Sequence, residues 1–199
     1  MTLTERSVEL PWLVAHIGMP RRLLDIGSAD AVYVALFYEL CRDLWLCDTR
    51  EFAASAPVEK YIGSAHQLPA DWRGCFDLVT CVSVLDHVGL DAYGNTSNEG
   101  MLPAMIAEMH RVLVEGGRLL VTVPVGRPQV TTHPQGGQRV FAVTELLALF
   151  DASAWTIQDM QIWKLQDERY TDAKPAAVAE ADYLTWRAEA VAALEVVCE

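Results

Sequence analysis

The residue types best suited to chemistry stand at the ends of two apolar segments. Asp25 and Gly27 stand at the end of the apolar segment that begins at Leu23, and Asp48 directly follows the apolar residues 44–47. A glycine at a strand-to-helix turn lets a cofactor approach the backbone. A carboxylate at the end of the next strand accepts hydrogen bonds from ribose hydroxyls, each of which contributes about 1.5–3 kcal/mol. The pattern predicts a site for a nucleotide-like cofactor; the alternative is that Asp48 only begins a turn.

The charge around this turn favours a cationic cofactor. No second glycine follows Gly27 at the spacing of the dinucleotide-binding motif G-x-G-x-x-G, and Asp25 and Asp30 surround the turn with negative charge. Negative charge stabilises a sulfonium and repels a pyrophosphate. An NAD-dependent oxidoreductase is therefore the less favoured alternative.

A second group of polar residues follows the apolar segment 76–82. Asp86 and His87 lie within residues 83–100, which are rich in Asp, Asn, Gly, Ser and Thr. Histidine is the most frequent general base, and a neighbouring carboxylate orients it or replaces it. We predict that His87 is the base and that Asp86 assists it; the alternative is that the pair only closes the loop by hydrogen bonding.

The acceptor pocket has six candidate residues: Tyr93, Asn95, Asn98, Arg127, His133 and Arg139. Tyr93 lies in the same polar stretch as His87, and His133, a second candidate base, lies in a Gly/Pro-rich stretch at residues 124–138. Arg127 and Arg139 suit a carboxylated or phosphorylated acceptor, since guanidinium groups bind such anions by paired hydrogen bonds. The alternative for each arginine is a solvated surface charge.

A parallel sheet would bring these residues together. Apolar segments alternate with helical patterns, which is typical of an α/β fold with a parallel sheet. Seven strands are predicted, at residues 21–26, 44–48, 58–62, 76–82, 119–123, 155–165 and within 188–198. Helices are predicted near residues 8–17, with Pro11 in the first turn, and at 32–40, 101–114 and 144–150. Residues 124–138 are predicted to form a long loop without regular structure, and residues 168–175 to be charged and exposed.

The composition predicts a soluble, cytoplasmic protein. The 199 residues are 52% hydrophobic, enough for the core of one domain. The net charge of −12, without a basic cluster, disfavours duplex nucleic acid as a partner. The five cysteines include no C-x-x-C pair, which is typical of free thiols in a reducing compartment. We see neither a signal peptide nor an apolar run long enough for a membrane span.

Taken together, the chain resembles the class I S-adenosylmethionine-dependent methyltransferases. The resemblance covers residues 5 to about 165 and rests on Leu23-Leu24-Asp25-Ile26-Gly27, on Asp48, on residues 63–69 before Phe76-Asp77-Leu78-Val79, and most specifically on residues 109–124. It implies a Rossmann-like fold with a mostly parallel, seven-stranded sheet and helices on both faces. It also implies S-adenosylmethionine as cofactor and methylation of a small molecule or sugar, preferentially on oxygen.

Within the superfamily the chain resembles a group associated with glycan and cell-surface biosynthesis. The shared segments include Glu5-Arg6 with Glu9-Leu10-Pro11-Trp12, Asp86-His87-Val88-Gly89-Leu90, and Pro124-Val125-Gly126. This likeness implies a glycan or other small-molecule acceptor.

The resemblance also implies a role for each residue of the cofactor site. Asp25, Gly27 and Ser28 would lie beside the methionyl end, Asp48 would hold the ribose, and Ser83 would lie beneath the reacting sulfonium. Ser64 and Ala65 stand near the adenine, where many relatives have an acid. Adenine recognition would then fall to backbone groups or to His66.

We expect residues 1–199 to form a single methyltransferase-like domain. Residues 1–20 would be a helical cap, 21–165 the cofactor-binding core, and 166–199 an acidic loop with the final strand. Because few residues remain for a substrate domain, the acceptor would bind in a shallow site or at the interface of a homodimer. The rival hypothesis is a degenerate methyltransferase fold that serves as a non-catalytic interaction or structural module, favoured by the missing second glycine and the missing acid at residues 64–65.

Overall fold

The computed structural model describes residues 4–54, 57–94, 96–133, 136–184 and 187–199, without the side chain of His133. The strands are β1 (Arg22–Ile26), β2 (Asp43–Asp48), β3 (Glu59–Ile62), β4 (Phe76–Val82), β5 (Leu113–Pro124), β6 (Gln129–His133), β7 (Gly136–Val140), β8 (Trp155–Gln166), β9 (Arg169–Asp172), β10 (Tyr183–Leu184), β11 (Arg187–Ala188) and β12 (Ala190–Cys198). The helices are α1 (Arg6–Ile17), α2 (Val34–Leu40), α3 (Met101–Val112), α4 (Val143–Ala148) and α5 (Pro175–Val178).

Eight of the strands form one sheet in the order β3-β2-β1-β4-β5-β12-β8-β9. Strands β1 to β5 are parallel to one another, whereas β12 is antiparallel to both β5 and β8. The strand order reverses between β1 and β4, and in open α/β sheets such a reversal opens a crevice at the carboxyl ends of the strands. The predicted α/β Rossmann-like fold is confirmed.

Both faces of the sheet are covered, as the apolar strands require. Leu23 packs with α1 and α2 on one face, and its neighbour Leu24 packs with α3 on the other. Successive side chains of a strand point to opposite faces, so a strand buried on both faces has an unbroken apolar sequence. The core therefore consists of two layers that fix the positions of the strand ends.

Three details differ from the sequence prediction. Strand β9 extends the sheet to eight strands within residues that were expected to be an exposed charged segment. Pro11 lies inside α1, not in its first turn, because the helix begins at Arg6. The proline lacks an N–H group, and both it and Ser7, one turn earlier, are exposed, so water can satisfy the unbonded carbonyl.

The third difference is the hairpin β6–β7, which replaces most of the predicted long loop. Its second strand is held by the segment after β4, since the N–H groups of Gly137 and Arg139 donate to the carbonyls of Asp91 and Asp86, each at 2.7 Å. A contact between segments so far apart leaves no local signal in a Gly/Pro-rich sequence.

No helix in the described ranges combines the length and the apolar character that crossing a membrane would require.

Candidate cofactor and acceptor site

A cavity of about 260 Å³ opens at the carboxyl ends of β1, β2 and β4. Its wall includes Gly27 after β1, Asp48 at the end of β2, and Ser83 after β4. These are the ends that meet at the reversal of strand order, so the sheet topology alone places three predicted site residues around one space.

Gly27 allows the first turn to lie against this cavity. Its φ of 86° is in the left-handed region, and a Cβ atom there would lie 2.3 Å from Cγ2 of Val84. Its N–H donates to the carbonyl of Cys47 at 2.8 Å, which ties the turn to β2. Only glycine fits this backbone and this contact without a shift of Val84.

Asp25 and Ser28 lie beneath the cavity and are not part of its wall. The carboxylate of Asp25 is fully buried and accepts hydrogen bonds from Oγ1 of Thr80 and Oγ of Ser28, each at 2.7 Å. Burial raises the pKa of Asp25 from 3.8 to about 6. These two residues shape the turn that carries Gly27.

Asp48 is 7% exposed, and its carboxylate already accepts hydrogen bonds from neighbouring residues. Oδ2 accepts from the N–H of Ala29 at 2.9 Å, and Oδ1 accepts from the N–H and Nε of Arg50 at 2.9 and 3.2 Å. Arg50 also pairs with Asp30 at 2.9 Å and lies over the ring of Tyr93 at 4.7 Å. Arg50 was not among the predicted site residues, although a cation close to two acids is the signal that identifies it.

The segment after β3 forms another part of the wall. Ser64, Ala65 and His66 line the cavity, and Oγ of Ser64 lies 2.5 Å from Nδ1 of His66. The predicted adenine-side residues therefore reach the same cavity as Gly27 and Asp48.

His87 lines the cavity and lies beside Asp86. Its Nδ1 is 2.9 Å from the carbonyl oxygen of Gly137, which can only accept, so Nδ1 carries the hydrogen. Its Nε2 is 3.4 Å from Oδ2 of Asp86. Asp86 is fully buried, and the same Oδ2 accepts from Nε2 of Gln138 at 2.9 Å. The hairpin β6–β7 thus fixes both residues of the predicted pair.

The six acceptor candidates separate in the structure. Asn95 lies outside the described residues, and Asn98 is exposed, with its Oδ1 accepting from the N–H of Gly100 at 3.0 Å. Tyr93 lines the cavity, with its ring edge-on to that of His87 and 5.0 Å between centroids. Arg139 is absent from the wall and donates to the carbonyl of Val88 at 3.3 Å. Arg127 is exposed and paired with Asp182. The side chain of His133 lies outside the described part of the chain.

Two residues of α1 reach the site and were not predicted to belong to it. Arg6 lines the cavity, and its Nη1 donates to Oε2 of Glu9 at 3.1 Å. Glu9 is fully buried, and its Oε1 accepts from Oγ of Ser83 at 2.7 Å and Oγ1 of Thr122 at 2.6 Å. An acid one turn after an arginine, on an otherwise apolar helix face, was the available signal.

Comparisons with known proteins agree with this geometry. Residues 24–121 match a family model described as a methyltransferase domain. No curated protein sequence matches the chain. The fold is similar to 1,6-didemethyltoxoflavin-N1-methyltransferase from Burkholderia thailandensis, solved with 1,6-didemethyltoxoflavin and S-adenosylhomocysteine (20% identity over 94% of this chain and 75% of that chain, TM-score 0.67).

Two further structures are similar over nearly the whole chain. The N-methyltransferase NodS from Bradyrhizobium japonicum WM9, in complex with S-adenosylhomocysteine, has 16% identity over 98% of this chain and 86% of that chain, with a TM-score of 0.61. A SAM-dependent methyltransferase from Methanosarcina mazei has 13% identity over 94% of this chain and 96% of that chain, with a TM-score of 0.67.

At these identities the solved structures establish the fold, and the domain match covers residues 24–121 of the chain. Together they support the predictions of an enzyme and of S-adenosylmethionine as its cofactor. Residues 24–121 therefore match the methyltransferase domain family, and the fold of the chain is similar to that of S-adenosylmethionine-dependent methyltransferases.

Proposed function

We propose that the protein methylates a hydroxyl oxygen of a small molecule or sugar. The observation that supports this most directly is the position of His87, whose ring lines the same cavity as Gly27 and Asp48. Its hydrogen is held on Nδ1 by Gly137, so Nε2, 3.4 Å from the Asp86 carboxylate, is the nitrogen whose protonation can change.

The residues of the wall fit the cofactor. Gly27 leaves the turn open to a ligand, Asp48 offers a buried carboxylate for hydroxyl groups, and Ser64 and Ala65 leave room on the adenine side. When bound, S-adenosylmethionine supplies a methyl group already activated by a sulfonium. The protein has to orient the acceptor and receive its proton.

His87 is the proposed proton acceptor. Nε2 would receive the hydroxyl proton as the acceptor oxygen bonds to the methyl carbon and the carbon–sulfur bond breaks, with S-adenosylhomocysteine as the leaving group. The hydrogen bond from Nδ1 to Gly137 holds the ring with Nε2 3.4 Å from Oδ2 of Asp86. General base catalysis of this kind contributes about 10²–10⁴-fold in rate.

We predict that His87→Gln lowers kcat about 100-fold or more and leaves the Kd for S-adenosylhomocysteine within about twofold. Turnover is measured with radiolabelled S-adenosylmethionine on a panel of phenols, catechols and monosaccharides, and affinity by calorimetry. His110→Gln is the control, since His110 contacts Trp155 and the carbonyl of Ala154, away from the cavity. Unchanged turnover in His87→Gln would exclude a role in proton transfer.

A nitrogen acceptor is the second candidate, because two of the similar structures are named N-methyltransferases. Amines in the same panel distinguish the two. Calorimetry on the wild type also tests the non-catalytic alternative: a folded protein that does not bind S-adenosylhomocysteine at millimolar concentration is not this enzyme.

We further propose a single domain, a cytoplasmic location and a homodimer whose interface completes the acceptor site. The eight-stranded sheet, which joins β1 near the N-terminal end to β12 near the C-terminal end, supports the single domain. Light scattering after size-exclusion chromatography tests the dimer: the mass of a monomer, 22.0 kDa, would refute it.

A further inference from the structure

Arg6 presents unused hydrogen-bond donors to the cavity. Its side chain is 43% exposed, and in the described part of the chain only its Nη1 has a hydrogen-bonding partner, Oε2 of Glu9. A guanidinium carries five N–H donors, so Nε and Nη2 remain for a ligand. The bond to Glu9 fixes the group in place, because Glu9 itself is buried and held by Ser83 and Thr122.

The order of strands places Arg6 at one end of the site. Asp48 ends β2 and Gly63 follows β3, both on one side of β1, and Arg50 pairs there with Asp48 and Asp30. Arg6 is tied through Glu9 to Ser83 after β4 and to Thr122 of β5, on the other side of β1. A ligand whose ribose binds Asp48 and whose base lies toward Gly63 therefore extends its remaining part toward Arg6.

Arg6 also differs from the other guanidinium of the wall. Arg50 is engaged by two carboxylates, those of Asp48 and Asp30. Among the carboxylates that the structure describes, Arg6 has one within hydrogen-bonding distance, that of Glu9, with those of Glu5 and Asp86 farther away. Its Nε and Nη2 form one edge of the guanidinium that remains for an anion, and paired N–H donors of this kind match a carboxylate.

We propose that Arg6 binds the carboxylate of the cofactor's amino-acid moiety and that Glu9 holds it in position for this contact. The proposal rests on the proposed function, because it assumes that the cavity holds S-adenosylmethionine. It adds a residue of the N-terminal helix to a site otherwise built from the ends of the strands.

Two ligands that differ in the amino-acid moiety test the proposal. S-adenosylhomocysteine carries the carboxylate, whereas 5′-methylthioadenosine has the same adenosine and sulfur without it. In Arg6→Gln, which keeps a donor for Glu9, we expect affinity for S-adenosylhomocysteine to fall about tenfold or more and affinity for 5′-methylthioadenosine to stay within about twofold. Both are measured by calorimetry, and Arg21→Gln, with a side chain 88% exposed, is the control.

Each other outcome has one meaning. Equal losses for both ligands mean that Arg6 only supports the fold, and unchanged affinity for both means that any carboxylate it binds belongs to the acceptor; either result overturns the proposal. If wild-type protein binds neither ligand, the proposed function fails together with it.

Discussion

At the scale of single residues, the predicted contact between Asp48 and a ribose has to compete with hydrogen bonds that the sequence does not reveal. A carboxylate accepts about four hydrogen bonds, and four are already made, by the N–H of Ala29 and by the backbone N–H, Nε and Nη2 of Arg50, the last at 3.5 Å. Ribose hydroxyls would therefore share Asp48 with Arg50 or displace its guanidinium.

We expect Asp48→Ala to weaken binding of S-adenosylhomocysteine about tenfold or more, because hydrogen bonds to a charged acceptor are lost. Calorimetry measures the change. Asp43→Ala is the control, since Asp43 lies at the opposite end of the same strand, where its carboxylate accepts hydrogen bonds from Arg22 and Trp45. Wild-type affinity in Asp48→Ala would mean that the ribose lies elsewhere.

Asp25 makes stability depend on pH. Because burial raises its pKa from 3.8 to about 6, Asp25 takes up a proton on folding when the pH lies between these two values. The resulting contribution to the free energy of unfolding is complete below pH 3.8 and is lost as the pH rises through 6. Asp25→Asn lacks this contribution at every pH.

We therefore expect the stability of Asp25→Asn relative to wild type to improve by about 1 kcal/mol from pH 5 to pH 7.5. Urea unfolding at the two pH values measures the difference, and the exposed Asp71→Asn serves as control. A relative stability that does not change with pH would contradict the raised pKa.

The site residues were predictable from sequence to the extent that they follow strands. Gly27, Asp48 and His87 were predicted because a residue that interrupts or follows an apolar segment is visible in the sequence, and all three line the cavity. Arg6 and Arg50 were missed because their roles depend on which neighbours they meet. Asp25 was expected in contact with the cofactor, but the hydroxyls that bond it, those of Ser28 and Thr80, are set by the pairing of β1 with β4.

At the scale of elements, α1 is attached to the sheet by a buried charge. The Glu9 carboxylate bonds hydroxyls at the ends of two strands and the guanidinium of Arg6. Ser83, which it holds, has a φ of 50°, a backbone conformation that is uncommon outside glycine. The helix thereby restrains a strained residue in the cavity wall.

We predict that Glu9→Ala lowers the free energy of unfolding by about 3 kcal/mol, because it leaves buried hydroxyl groups and a guanidinium without their acceptor. Chemical unfolding measures it. Glu39→Ala, where a carboxylate 67% exposed pairs with Arg42, should change stability by less than about 0.5 kcal/mol. Similar losses in both variants would show that the buried bonds contribute little.

The elements themselves were largely predictable, because strands buried on both faces have continuous apolar sequences. Residues 44–48 and 76–82 were predicted within one residue of β2 and β4. The hairpin β6–β7 was not, since its residues are held by backbone bonds to the segment after β4 and not by their own apolar pattern.

At the scale of the whole molecule, the arrangement of strands is what creates the site. Residues from six separate segments meet because β1 and β4 are neighbours and their carboxyl ends share one edge. Apolar periodicity indicates that strands exist, whereas their order was not predicted, because the resemblance to a known superfamily implied only a mostly parallel sheet.

The placement of β12 between β5 and β8 also has a consequence for biosynthesis. Residues 190–198 occupy an interior position of the sheet. The pair β8–β9 therefore cannot join the rest of the sheet until this segment has left the ribosome. During translation the nascent chain can assemble β1 to β5 but exposes the free edge of β5. Truncation before Ala190 would make that state permanent, with an unpaired edge available for self-association.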